Sequence, residues 1–405
     1  MARNLDTDSA GPRTLAIHAG ERPDPATGAS SPNIVMSSTF VTERPEGFSA
    51  RELTEDSPFV YTRWANPTVR GLEEKVAALE GAESAAAFAS GMAAAHAILL
   101  AELSSGDRLV LSDVSYAGIA ELARDTLPRM GVEVVTVNMS DLAAVEAAVT
   151  KGTRLVFIDT PCNPLMRLTD IAAVARIAHA AGARLAIDST FASPVATRPL
   201  EFGADYVMHS ATKYLGGHGD AVGGVVCGRA ELIRPLVSEA IVHFGGVMSP
   251  FNAWLIARGA ATLPIRMRAH EETAMAVAKW LEADPRIARV VYPGLPSHPQ
   301  HDLARRQMRN FSGMMTFRVR GGEAEGAEAA ARMAARLKVI HHAVSLGHHR
   351  TLVCWMPTAS LLETSFRLTG AGADAYRDWA GEGVFRLSIG LEDAADLIRD
   401  LDAVL

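Results

Sequence analysis

From about residue 66 to residue 230, short apolar runs alternate with amphipathic helical stretches, and few folds accept that pattern. The runs fall at 84–89, 108–111, 132–137, 154–158, 184–187, 206–209 and 224–227. Helical spacing of apolar residues marks the segments between them, among them 69–79, 141–149 and 170–181. Strands that alternate with helices pair mostly in parallel and are covered on both faces. The pattern therefore predicts an α/β fold, a mostly parallel sheet flanked by helices. In such sheets ligands bind beyond the carboxyl ends of the strands. The residues just after each run are where chemistry is expected.

The flanks have a different texture. Residues 1–65 are rich in turn formers such as Pro23, Pro25, Gly28, Pro32, Pro45, Gly47 and Pro58, which predicts an irregular arm packed on a neighbour or left unstructured. After about residue 250 come a long helical stretch at 251–281, a strand at 313–319, a helix at 325–337 and a terminal helix at 394–405. That order reads as a smaller α+β domain. The expected division is 1–65 for the arm, 66–255 for a large domain and 256–405 for a C-terminal domain. A formal net charge of -7 argues against nucleic acid as a partner. No stretch approaches the ~18 consecutive apolar residues of a membrane helix. The first twenty residues mix charges with Gly and Pro and have no apolar signal core, so a cytoplasmic location is expected. Cys162, Cys227 and Cys354 are too few and too scattered for a disulfide framework or a thiolate zinc site. No metal is expected: the paired histidines His341-His342 and His348-His349 would point apart on a strand.

Three strand ends carry chemistry. The run 206–209 leads into Ser210-Ala211-Thr212-Lys213-Tyr214 and a glycine-rich turn. Partial burial and nearby cations can lower the pKa of such a lysine, which an imine-forming amine needs. Ser210 and Thr212 can donate hydrogen bonds to a phosphate beside it, although a surface lysine on a loop would look the same. The run 184–187 ends at Asp188. A carboxylate there is costly unless it meets a cation, and a protonated pyridine nitrogen would be one; a helix N-cap is the other reading. The third is Ser90-Gly91-Met92, a tight turn into a helix whose free N–H groups and dipole favour phosphate, a feature many α/β proteins share.

Taken together these motifs are similar to those of the pyridoxal-phosphate (PLP) enzymes of cysteine and methionine metabolism. That family includes cystathionine γ-synthase, cystathionine γ-lyase, methionine γ-lyase and the O-acyl-homoserine sulfhydrylases. The resemblance extends through Tyr61-Thr62-Arg63-Trp64-Ala65-Asn66-Pro67, Asp159-Thr160-Pro161-Cys162-Asn163-Pro164 and Phe385-Arg386-Leu387-Ser388, nearly the whole chain. It implies the type I PLP-dependent transferase fold (aspartate aminotransferase-like). It also implies PLP as cofactor, bound to Lys213 as a Schiff base, with Asp188 at the ring nitrogen and Tyr116 stacked on the ring as an acid or base. Ser90, Gly91, Met92, Ser210 and Thr212 would bind the phosphate. Tyr61 and Arg63 would reach the phosphate of a neighbouring subunit, which implies sites shared across a dimer and a homotetramer built from two dimers. Arg386, with Asn163 and Ser345, would grip the α-carboxylate of an amino-acid substrate. Tyr116 as plain core, Asn163 as a turn residue and Arg386 as a surface ion-pair residue are the structural alternatives.

The same residues serve two outcomes after a γ-substituent leaves. Hydrolysis gives an α-keto acid and ammonia, as in a γ-lyase; attack by a thiol gives a new thioether, as in a γ-synthase or sulfhydrylase. Gly216-Gly217-His218-Gly219-Asp220 resembles the lyases and tips the expectation toward γ-elimination on a sulfur amino acid or a γ-substituted homoserine derivative. Methionine γ-lyases, however, carry a cysteine where this chain has Gly118 and a Lys-Asp pair where it has Ile241-Val242, which counts against a strict methionine-cleaving activity. The segment His348-His349-Arg350 also departs from the family and points to an unusual specificity, with O-acyl-homoserines and canavanine as candidates. A non-catalytic PLP-binding relative is a reading from another class. A dehydrogenase lacks support, because no Gly-x-Gly-x-x-Gly turn follows the first strand.

Overall fold

The computed structural model describes residues 9–42 and 57–405. The remainder of the expected N-terminal arm, including Pro45 and Gly47, lies outside the described residues. Twelve strands occur among the described residues: β1 Ser84–Phe88, β2 Arg108–Ser112, β3 Glu133–Val137, β4 Thr153–Asp159, β5 Arg184–Asp188, β6 Tyr206–His209, β7 Gly224–Gly228, β8 Ile287–Val291, β9 Met314–Val319, β10 His341–His342, β11 Leu352–Pro357 and β12 Gly383–Ser388. Four helices matter below: α1 Pro12–His18, α2 Pro67–Glu80, α3 Gly91–Glu102 and α4 Ala117–Asp125. The chain divides into two compact units, residues 1–103 with 198–264, and residues 104–197 with 265–405.

In the first unit β7 lies between β1 and β6 and pairs antiparallel with both. All five residues of β1 and of β7 are buried, so these strands read as continuous apolar runs rather than alternating ones. Asn66 starts α2 by accepting the N–H groups of Thr68 and Val69, and Pro67 occupies the first helical position, where no N–H is needed. Gly81 ends the helix in the left-handed region at φ 72°. The arm expected to be irregular contains the short helix α1. Its anchor is Lys75 of α2, fully buried, whose Nζ donates to the carbonyls of Ala16 at 2.6 Å and Ile17 at 3.1 Å and pairs with Glu21 at 2.9 Å. Periodicity over seven residues is too short to announce such a helix; a tertiary clamp makes it.

In the second unit β5, β4, β2 and β3 lie side by side in that order, all parallel. Asp141 and Asp170 cap the helices Leu142–Ala148 and Ile171–Ala180 between them. A second sheet in this unit has the order β10-β11-β12-β9-β8 and mixes parallel and antiparallel pairs. Its core is built on Phe317, Phe385, Val353 and Leu387, with the Phe317 and Phe385 rings stacked at 5.1 Å. The sequence pattern treats 251–281 as one helix, whereas the structure breaks it into Pro250–Ala260 and Leu263–Ala283. Pro264 lacks an N–H and cannot continue the first helix, but it fits the opening turn of the second.

Two buried histidines give the fold an acid-sensitive element. His298 donates from Nε2 to the Met166 carbonyl at 3.1 Å, and its Nδ1 accepts the Gln300 N–H at 3.0 Å, so the ring carries a single proton. Burial pushes the pKa of His298, and that of His270, down from 6.5 to about 4. The unfolded chain takes up these protons first. Their stabilisation is complete above pH 6.5 and is lost as the pH falls toward about 4. Each ring contributes up to about 3 kcal/mol to that loss. Urea midpoints measured between pH 7 and pH 4 should fall, and His298→Gln should flatten the slope by about one proton.

Candidate active site

In the first unit the sheet ends where a helix begins. Strand β6 stops at His209, and the chain turns through Ser210 to Gly216: the Lys213 N–H donates to the Ser210 carbonyl at 3.0 Å and the Gly217 N–H to the Lys213 carbonyl at 2.7 Å. Gly217 adopts φ 71°, which a side chain would strain. Lys213 is half-buried. Opposite the turn, Ser90 caps α3 by accepting the Ala93 N–H at 3.1 Å. The approach is close: a Cβ on Gly91 would lie 2.8 Å from Cβ and 2.9 Å from Oγ of Ser210. Only a glycine lets the first N–H of α3 come so near that hydroxyl. The pairing produces a cradle of helix N–H groups and a hydroxyl, the donor set a phosphate takes.

Thr212 is committed differently. Its Oγ1 accepts the Gly223 N–H at 3.0 Å and donates to the Gly223 carbonyl at 3.2 Å, which ties the lysine turn to the start of β7. His209 meets Glu80, the last residue of α2, at 2.9 Å, with both side chains buried. Burial drives the Glu80 carboxyl above its ordinary pKa. Tyr61 and Arg63 lie together, with the guanidinium 5.4 Å from the ring centroid, and Arg63 donates to the Val242 carbonyl.

In the second unit Asp188 ends β5. It is 6% exposed and accepts the Thr190 N–H at 2.9 Å. Beside it in the parallel ladder stands Asp159, the last residue of β4 and 3% exposed. Burial, then the charge of Asp188, pushes the Asp159 carboxyl well above the usual carboxylate range. Tyr116 precedes α4 and is 48% exposed, so a ring face is open for stacking. Cys162 is buried and its thiol is pushed up to about 11, again by burial, which leaves it inert as a nucleophile. Arg167 and Asp113 form a buried ion pair at 2.5 Å beneath this layer.

Arg386 sits in β12 and is 8% exposed. It donates from Nη1 to Oδ1 of Asn163 at 2.8 Å and from Nη2 to the Ser345 carbonyl at 3.2 Å. Ser345 reaches it through a left-handed backbone at φ 103°, a strained choice for a residue with a side chain. Its hydroxyl meets His348 Nε2 at 3.2 Å. No carboxylate among the described residues pairs with Arg386. A buried guanidinium held by two neutral oxygens lacks its counter-ion, and a substrate carboxylate would supply one.

The structure thus brings together Ser90, Gly91, Met92, Ser210, Thr212 and Lys213 in one unit, and Asn163, Ser345 and Arg386 in the other. The sequence reading missed Asp159. It ended the run of β4 one residue early, although a carboxylate closing a buried strand is the same signal that singles out Asp188.

Residues 13–405 match the family described as Cys/Met metabolism PLP-dependent enzyme. The chain belongs to that family. It is 42% identical to the O-succinylhomoserine sulfhydrylase of Pseudomonas aeruginosa, over 99% of this chain and 97% of the relative. It is 40% identical to the canavanine γ-lyase of Pseudomonas canavaninivorans, over 100% of this chain and 98% of that one. Among solved structures, metB from Corynebacterium glutamicum superimposes with a TM-score of 0.88 at 38% identity, covering 99% of both chains. The protein is a PLP-dependent enzyme of the γ-lyase, γ-synthase and sulfhydrylase group, with the mostly parallel α/β fold and second mixed sheet of that group. Among the described residues no helix is long and apolar enough to cross a membrane.

Proposed function

We propose that the enzyme eliminates the γ-substituent of a homoserine derivative or sulfur amino acid, releasing an α-keto acid, ammonia and the displaced nucleophile. The observation that carries this reading is the buried, counter-ion-free Arg386 with Asn163 and Ser345 around it, a clamp for an α-carboxylate. The likeness to a canavanine γ-lyase over the full chain supports the elimination outcome.

In this reading Lys213 and its neighbours in the first unit, and Asp188 in the second, are cofactor-binding residues. PLP, when bound, supplies an electron sink for charge left at the substrate Cα. Ser90, Gly91, Met92 and Ser210 would bind its phosphate, the Gly91–Ser210 approach being the feature that fits it, and Thr212 would join them by turning its hydroxyl from the Gly223 carbonyl. Lys213 would hold its aldehyde carbon, and the same amine would carry protons at the substrate Cα and Cβ. Asp188 would keep the ring nitrogen protonated. Tyr116 would stack on the ring and move a proton near the leaving group. Arg386 would fix the substrate carboxylate and with it the orientation of the amino acid.

The arm residues Tyr61 and Arg63 complete the phosphate site of a neighbouring subunit in a homotetramer of two dimers, and the enzyme works in the cytoplasm. Exposed Met36, Val41, Phe244 and Phe251 in the first unit support such an assembly. The domain division follows the same reading, with 1–65 as the arm, 66–255 as the cofactor domain and 256–405 as the C-terminal domain.

A second outcome, γ-replacement, is favoured by the 42% identity to an O-succinylhomoserine sulfhydrylase. Purified enzyme offered O-acetyl- and O-succinyl-homoserine, canavanine, cystathionine and methionine separates the two. Keto acid and ammonia without added thiol establish elimination. Turnover only with cysteine or sulfide establishes replacement and overturns the first reading.

A further inference from the structure

The segment that follows β10 runs from solvent into the carboxylate clamp. Residues 341–344 are exposed, and the Ala343 N–H still donates to the Val353 carbonyl of β11 at 3.0 Å. Beyond them the chain closes on β12. The Gly347 N–H donates to Ser388 Oγ at 2.9 Å, and the Leu391 N–H donates to the His349 carbonyl at 2.9 Å. Ser388 lies two residues from Arg386 in the same strand, so both side chains leave the sheet on one face. Ser345 enters this arrangement at φ 103°, a backbone that persists only where its surroundings over-determine it. Two contacts hold it there. Its carbonyl accepts from Arg386 Nη2 at 3.2 Å, and its hydroxyl meets His348 Nε2 at 3.2 Å.

We propose that His348 is a positioning residue for the carboxylate clamp: its ring holds the Ser345 hydroxyl and so aims the Ser345 carbonyl at the Arg386 fork. This deepens the clamp reading given above and rests on it. The guanidinium is planar, and Asn163 takes Nη1 at 2.8 Å while the Ser345 carbonyl takes Nη2. Moving either oxygen therefore turns the whole fork. The Ser345 oxygen is the one carried by a strained loop residue. His348 closes that loop over Leu346 and Gly347, both buried, and Gly347 is pinned to Ser388. The imidazole thus works from a fixed base. A side chain without nitrogen at position 348 would remove this hold on the hydroxyl, and the Ser345 backbone could relax away from φ 103°. The carbonyl would then drift from Nη2. His348 need not touch the substrate for this, so its loss falls on carboxylate binding and spares the proton transfers.

The test uses the PLP-loaded enzyme and L-alanine, which has no γ-substituent to lose. Binding is followed by the change in visible absorbance, alongside thermal unfolding and KM and kcat for the substrate that the screen above identifies. His348→Phe keeps a ring and removes its nitrogens. It should raise the Kd for alanine and the KM about fivefold and leave kcat within about twofold. His348→Gln returns an amide near the place of Nε2 and should bring both constants back to within about twofold of wild type. Ser345→Ala retains the carbonyl but lacks the hydroxyl. In that background His348→Phe should add no further loss, because the contact it breaks is already gone. His348→Ala serves in both backgrounds if the phenylalanine variant does not fold.

The inference is overturned if His348→Phe binds alanine within twofold of wild type, or if it weakens binding by the same factor with and without the Ser345 hydroxyl. A glutamine variant as weak as the phenylalanine one overturns it too. Arg386→Ala separates this from the reading beneath it. If that variant loses alanine binding while the His348 variants do not, the positioning role alone fails; if it binds alanine normally, the clamp itself fails.

Discussion

Lys213→Ala is expected to abolish turnover, with a fall in kcat of at least ~10⁴-fold, because the residue is proposed as both the covalent anchor and the proton carrier. Two readouts distinguish this from misfolding. The visible absorbance of the lysine-bound cofactor should vanish, while the far-ultraviolet circular dichroism should stay unchanged. Lys213 is half-buried at a turn whose backbone hydrogen bonds, Lys213 N–H to Ser210 and Gly217 N–H to Lys213, do not involve the side chain. The turn should therefore persist without it. PLP should still bind through the Gly91–Ser210 cradle, more weakly and reversibly on dialysis. A variant that retains the absorbance band would place the covalent anchor elsewhere and overturn the assignment.

The second large effect is expected at Arg386. Truncation to alanine removes the proposed partner of the substrate carboxylate in a buried setting, and breaking such a pair costs about 3–5 kcal/mol, or roughly 10²- to 10³-fold in kcat/KM. Arg386→Lys should recover only part of this. Asn163 and Ser345 take separate nitrogens of a planar fork, at 2.8 and 3.2 Å, and an ammonium cannot reproduce that geometry. The cofactor absorbance should be unaffected in both variants, since neither Asn163 nor Ser345 belongs to the lysine turn. The loss should fall mainly on KM at low substrate and be largest for small amino acids, which have few other contacts.

Much of the architecture was legible before any coordinates. The strands β2, β4, β5, β6 and β7 were read within one residue or so at each end, because buried strands in a parallel-rich sheet are unbroken apolar runs bounded by turn residues; β3, which is not buried, was legible from its β-branched residues. The strands β8, β11 and β12 were not read. Met356 and Phe385 sit in sequences that a helix would accept equally well, and short apolar segments do not distinguish the two by period alone. The clamp on α1 escaped for another reason: Lys75 looks like a solvated helix residue, and only the carbonyls of Ala16 and Ile17, nearly sixty residues away, make it a buried anchor.

Local chemistry determined most of the proposed cofactor side. The lysine after β6, the carboxylate after β5 and the Ser-Gly turn before α3 are each written in a few contiguous residues, because strand ends and helix starts are local events. What the tertiary structure alone decided is how distant turns meet. It set the Gly91 backbone against Ser210, gave the Arg386 fork the oxygens of Asn163 and Ser345, and put Asp159 beside Asp188. Such contacts join residues separated by up to more than two hundred positions, so no pattern along the chain encodes them. They exist only once the sheets have packed and the buried polar groups have found their partners.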